Sequence, residues 1–267
     1  MKTIRDVAFD ELYRNHFKLA ARKPKCPEDW DRKAEKMAES SFDTTDQYVS
    51  AFLSKMDLHS TDTVLDVGCG GGAISLAVAP KVKHVYALDF SQKMLELLLK
   101  RAEKLGITNI TPINLAWFDD WHEVPQCDIA VSSRSSMVED LSVALNKLNE
   151  KAKRAVYMTM TVEKDFISRD ILQAIGRDSV GFPNYIYAVN ILYQQGYYAS
   201  VSFIQSAMGM LENKAMSLAD LERSVSWSIG ELTEAEKICL NAYYQANKTQ
   251  LQLYPCSKQW AYVSWKK

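Results

Sequence analysis

Residues 63–80 read TVLDVGCGGGAISLAVAP. A short apolar run carries one acid, Asp66. Four glycines follow within five positions, and a second apolar run at helical spacing ends at Pro80. Strand, bare turn and helix in that order make the opening half of a βαβ unit. Glycine lets backbone come within van der Waals distance of a ligand, so the turn marks a binding loop at the end of a strand. A phosphate is one ligand that such a loop accepts. The residues around the glycines decide whether another fits better.

Outward from this stretch the alternation continues. HVYALD precedes the helical MLELLLKRAEKL; ITPINL follows; CDIAVSS precedes DLSVALNKLNEKA; then comes AVYMTM. SVSFIQS follows the helical YIYAVNILYQQG, and QWAYVSWKK closes the chain. Strands alternating with helices imply parallel βαβ units with right-handed crossovers. We read seven strands: five up to Met160, a sixth near 200–206 and a seventh near 259–265. The fold class is α/β, a doubly wound, seven-stranded, mostly parallel sheet with a helical cap. Upstream, PEDWDRKAEKMAES and DTTDQYVSAFLSKM carry helical signals, the first with a proline and acids in its opening turn. The expected division is 1–60 helical cap, 61–206 α/β core, 207–257 helical insert acting as a lid, and 258–267 the last strand of the core. Within the insert, helices are expected at about 217–227 and 233–251.

The 267 residues suffice for one α/β domain with a cap. Thirty-two basic against 33 acidic residues give a net charge of −1, which argues against a nucleic-acid partner. The five cysteines are scattered, with no Cys-x-x-Cys pair, and the four histidines show no metal-ligand spacing. No metal is expected. The opening MKTIRDVAFDELYRNHF has no long apolar core, and no apolar run approaches the ~20 residues that span a bilayer. A cytoplasmic location without membrane partners is the expectation.

Gly68 to Ala73 satisfies the dinucleotide pattern G-x-G-x-x-G/A, which keeps a nicotinamide or flavin enzyme in view. Three details favour S-adenosylmethionine (SAM). Asp66 stands two residues before the first glycine, where a carboxylate repels a pyrophosphate but tolerates an ammonium. The spacing Asp66-x-Gly68-x-Gly70-x-Gly72 bares the backbone. Asp89 ends the next strand, 17 residues beyond Gly72, where it can accept hydrogen bonds from both ribose hydroxyls. Asp89 supports a nucleoside without naming it.

VLDVGCGGG together with ALDFSQKML resembles the class I SAM-dependent methyltransferases. The resemblance covers roughly residues 60–206 and 258–267, and in that family the last strand is antiparallel. The segment WDRKAEKM…YVSAFL is similar to the helical lead-in of small-molecule members. The resemblance implies SAM as cofactor. It places Gly68, the backbone of Cys69, and Gly70 under the methionine and ribose, Asp89 on the ribose and Phe90 on the adenine. Ala116 and Trp117 match the adenine edge, with the usual acid displaced to Asp119 or Asp120. Ser133 and Arg134 match the loop beneath the sulfonium. Arg134, Tyr185 and Trp30 are candidate acceptor contacts.

Methyl transfer needs a general base only when the acceptor must lose a proton early. None is evident here, and no catalytic residue is assigned. The stretch SSRSS stands where enzymes that methylate nucleobase amines carry Asn/Asp-Pro-Pro-aromatic. The leading expectation is a methyltransferase acting on a small molecule. An RNA or protein methyltransferase is the alternative. A non-catalytic SAM-binding protein or a nicotinamide-dependent oxidoreductase comes after it.

Overall fold

The computed structural model describes residues 3–20, 24–39, 46–178, 180–205, 216–248, 251, 253 and 259–267. Seven strands form one sheet: β1 Thr63–Val67, β2 His84–Asp89, β3 Ile110–Asn114, β4 Cys127–Ser133, β5 Ala152–Thr161, β6 Ser200–Gln205 and β7 Gln259–Lys266. Their order is β3-β2-β1-β4-β5-β7-β6. β1 to β5 pair in parallel, while β7 runs antiparallel to both β5 and β6. The strand order reverses between β1 and β4. In open α/β sheets such a switch point leaves a crevice beyond the carboxyl ends, and the glycine loop after β1 opens into it.

The helices are α1 Phe9–Leu19, α2 Pro27–Ala38, α3 Gln47–Leu53, α4 Ala73–Val78, α5 Gln92–Lys104, α6 Leu141–Lys151, α7 Arg169–Ala174, α8 Tyr185–Gln194, α9 Leu218–Ile229 and α10 Glu234–Asn247. Side chains alternate across a strand, and β1 shows the consequence. Leu65 and Val67 enter the core shared with α1, α6 and α8, whereas Val64 enters the core shared with α3 and α4. Helices on both faces explain why the parallel strands are apolar along their length. Local caps set the helix starts. Ser91, Asp140, Asn184, Ser217 and Thr233 each accept a backbone N–H of the helix that follows.

The first helix, α1, is tied to the segment between β4 and α6. The Tyr13 hydroxyl donates to the Val138 carbonyl at 2.7 Å, and Arg14 pairs with Asp140 at 3.0 Å. The insert between β6 and β7 shares a small core with α7. Leu221 and Val225 of α9 and Leu240 and Tyr244 of α10 bury against Ile171 and Leu172 of α7. Arg177 holds this unit together: it pairs with Glu236 and donates to the carbonyls of Ile229 and Glu231. The two insert helices stand within about two residues of their expected starts, and α10 ends short of 251. Residues 207–215, 249–250, 252 and 254–257 of the expected insert lie outside the described residues. Among the described residues, no helix is long and apolar enough to cross a membrane.

Candidate cofactor and acceptor site

The glycines divide the work at the end of β1. The N–H groups of Gly68 and Cys69 both donate to the Leu88 carbonyl, at 2.7 and 3.1 Å, which pins the loop to β2. Gly68 has φ +70°, and a Cβ added there would lie 2.3 Å from the Ser135 Cβ. Gly70 has φ +52°, and an added Cβ would meet nothing within 4 Å. The first glycine therefore makes room for protein. The second leaves bare backbone facing open space, as a ligand cradle requires. Behind the loop, the Arg101 guanidinium donates to the Gly71 carbonyl at 2.8 Å and to the Met37 carbonyl at 3.2 Å.

Two carboxylates flank this loop. Asp89 accepts the Gly70 N–H at 2.8 Å on one oxygen and the Ser91 N–H at 2.9 Å on the other. Each oxygen keeps a lone pair for a further donor. Burial raises its pKa, against the pull of these N–H groups. Asp66 is 1% exposed and accepts the Ser75 hydroxyl at 2.6 Å. Burial pushes its pKa up to about 6, with the Asp89 charge adding to the shift. Burial also raises the Cys69 thiol well above its ordinary value, so it is no nucleophile.

On the far side of β2, Phe90 is half-buried beside Asp89. Ala116 donates its N–H to Asp119 at 2.7 Å. Trp117 stacks on Trp121 and donates its indole N–H to the Ser135 carbonyl at 3.0 Å. A residue that sequence reasoning missed is Asp31 of α2. It accepts the Ser91 hydroxyl at 2.6 Å and so ties the cap to the start of α5.

At the end of β4 the Tyr48 hydroxyl, from α3, sits 2.8 Å from the Ser133 hydroxyl and 2.7 Å from that of Thr159. The next residue, Arg134, has φ +57°, the sole positive φ among the described non-glycine residues. Its N–H donates to Thr159 Oγ1 at 3.0 Å, and its guanidinium lies over the Tyr48 ring, 4.2 Å from the centroid. The sequence offers Glu139 or Asp140 as the partner for this arginine. Asp140 instead caps α6 and pairs with Arg14, and no ion pair of Arg134 is found among the described residues. A cavity of about 20 Å³ lies here, lined by Arg134, Ser136, Thr159, Thr161, Phe166 and Trp260 among others. A wider groove, about 420 Å³ between Arg5 and Tyr198, lies at the start of β6, the opposite edge of the sheet.

The other two candidate acceptor contacts stand apart. Tyr185 opens α8 and meets Phe203 of β6 edge-on at 5.7 Å. Trp30 of α2 meets Trp227 of α9 edge-on at 5.6 Å, with the Lys33 ammonium over both rings. Among the described residues, no group of three His, Cys, Asp or Glu is arranged to hold a metal ion.

Residues 64–156 match a family model described as a methyltransferase domain. An uncharacterized protein of Haemophilus influenzae is 38% identical over 266 residues, covering 98% of each chain. A probable cobalt-precorrin-6B C(15)-methyltransferase (decarboxylating) of Methanococcus vannielii is 23% identical over 134 residues, 50% of this chain and 71% of its own. A Haemonchus contortus phosphoethanolamine N-methyltransferase, solved with phosphomonomethylethanolamine and S-adenosylhomocysteine, shares the fold. Its TM-score is 0.55 at 15% identity, over all of this chain and 60% of its own. With the seven-stranded order, the antiparallel β7 and the glycine loop at the switch point, these likenesses lead to one family: the chain is a class I SAM-dependent methyltransferase.

Proposed function

We propose that this enzyme methylates a small molecule held beyond the carboxyl ends of β4 and β5, under a helical lid. The observation that carries this reading is the contact between α2 and α9. Trp30 and Trp227 bring the N-terminal cap and the insert together, and Lys33 lies over both rings. A cap and an insert joined in this way suit an enclosed acceptor better than a polymer, and the net charge of −1 offers no general attraction for a nucleic-acid backbone.

The loop suits SAM on the evidence of its own shape. Gly70 offers open backbone, and each Asp89 oxygen keeps an acceptor position for a ribose hydroxyl. We assign Gly68, Cys69, Gly70 and Asp89 to the methionine and ribose end. Phe90, Ala116 and Trp117 go to the adenine, and Ser133 to the sulfonium side. Asp66 acts from beneath the loop. SAM supplies an already activated methyl group. The task left to the protein is to align the acceptor and exclude water, which the cap and insert serve.

The test is methyl transfer from isotope-labelled SAM into a cell extract fractionated into small molecules, RNA and protein. Label in the small-molecule fraction supports the reading. Label confined to RNA or protein refutes it.

A further inference from the structure

The cap helix α2 is joined to the cofactor loops at two points. In its first half, Asp31 accepts the Ser91 hydroxyl at 2.6 Å and the Lys93 N–H at 3.3 Å. Near its end, the Met37 carbonyl shares the Arg101 guanidinium with the Gly71 carbonyl of the glycine loop. Between these points Glu35 pairs with the Lys93 ammonium. That pair is exposed, and exposed ion pairs contribute little. The two outer ties end on groups beside the cofactor loop, and the first of them leads to Asp89.

Ser91 is the junction. It is fully buried; its N–H donates to one Asp89 oxygen at 2.9 Å, and its hydroxyl accepts the Met94 N–H at 3.2 Å. A serine hydroxyl has one proton to donate. Asp31 takes that proton, so it is not offered to the carboxylate two residues back. The Asp89 oxygens then hold only the Gly70 and Ser91 N–H groups, with an open acceptor position on each. The same bond fixes where Ser91 stands, and with it the direction of the N–H that holds Asp89. Asp31 is itself half-buried, so the bond is charge-assisted and partly shielded from water.

We infer that Asp31 is a positioning residue for the cofactor: through Ser91 it keeps the Asp89 carboxylate open for the ribose hydroxyls, so that cofactor affinity depends on the cap being docked. This rests on the assignment of Asp89 to the ribose. By reciprocity, the bound cofactor favours the docked cap to the same degree. Docked α2 also carries Trp30 to Trp227, so a bound cofactor steadies the contact between cap and insert.

Calorimetry with S-adenosylhomocysteine on the full chain compares the wild type, Asp31→Ala, Asp31→Asn and Glu35→Ala, with melting of the ligand-free proteins alongside. Asp31→Ala is expected to weaken binding about tenfold, and Asp31→Asn by less, because its carbonyl oxygen still accepts from Ser91. Glu35→Ala cuts a tie between α2 and α5 that does not lead to Asp89, and should bind as the wild type does. In an Asp89→Ala background, adding Asp31→Ala should weaken binding no further. A purely structural role would lower the melting temperature of Asp31→Ala and leave its dissociation constant unchanged; that result overturns the inference. An equal loss in Glu35→Ala, or an equal further loss in the Asp89→Ala background, overturns it as well. Should Asp31→Ala fail to fold, Asp31→Asn carries the same comparisons, and its loss must vanish in the Asp89→Ala background. Failure of the wild type to bind S-adenosylhomocysteine, or full affinity in Asp89→Ala, would instead strike the cofactor reading on which the inference rests.

Discussion

Alanine at Gly68 and alanine at Gly70 should do different kinds of damage. Both positions have positive φ, so each substitution carries a backbone cost of roughly 1–2 kcal/mol. Each also stiffens the unfolded chain to a similar degree, which cancels in the comparison. At Gly68 the new Cβ arrives 2.3 Å from Ser135 Cβ and 2.6 Å from its Oγ. Ser135 cannot easily retreat, because its hydroxyl donates to the Val67 carbonyl at 2.7 Å and its carbonyl accepts from Trp117. Overpacking of this kind costs about 1–3 kcal/mol more, for a total of roughly 2–5 kcal/mol. At Gly70 no such term exists, but the methyl group projects where the ligand should lie. Urea unfolding without ligand should therefore rank Gly68→Ala well below Gly70→Ala. Calorimetry with S-adenosylhomocysteine should show Gly70→Ala losing affinity while still folded. Measured against Ser135→Gly alone, which already lacks the hydroxyl bond to Val67, adding Gly68→Ala should cost only the backbone term, because the clash is gone. Equal destabilisation by the two alanines, or the full cost of Gly68→Ala persisting in the Ser135→Gly background, would refute the close packing of loop on loop.

Three further outcomes follow from the same geometry. Asp66 holds its proton up to about pH 6 when folded but releases it near 3.8 when unfolded, so the folded state binds more protons in that window and stability falls as pH rises through it; the loss reaches about 3 kcal/mol, and urea unfolding of Asp66→Asn against pH should lack it. Asp89→Ala removes the acceptor for the Gly70 and Ser91 N–H groups and for the ribose, so S-adenosylhomocysteine affinity should drop by on the order of 1.5–3 kcal/mol in calorimetry, whereas an unchanged value would make Asp89 a loop brace alone. Arg177→Leu unties α7 from α9 and α10; hydrogen exchange should quicken across 218–247 by about 1–3 kcal/mol of protection while β1 and β4 stay protected, and uniform quickening would mean that the insert is no separate unit.

The sheet was legible because parallel strands buried on both faces are apolar runs, and caps such as Ser91 stand where the helices begin. The glycine loop was legible because its chemistry is local. What escaped was long-range. Tyr48 reads as one more apolar position on α3, and nothing near it reveals that its hydroxyl meets Ser133 and Thr159, 85 and 111 residues away. Arg134 has acids five and six residues ahead, yet Arg14, from 126 residues before Asp140, has taken one of them. The six-residue α7 has too short a pattern to announce itself, and it buries Ile171 and Leu172 only because the insert arrives to cover them.

The position of β7 bears on how this chain is made. Six strands leave the ribosome before it, yet its place is not at the rim: it lies between β5 and β6, bonded to both. Until it inserts, β5 presents an open edge of buried-type residues, Val156 to Met160, and β6 has no partner at all. Open edges of this kind template pairing with other chains. Nascent or truncated chains lacking the last nine residues should therefore depend on chaperones, and should aggregate through β5 rather than populate a six-stranded enzyme.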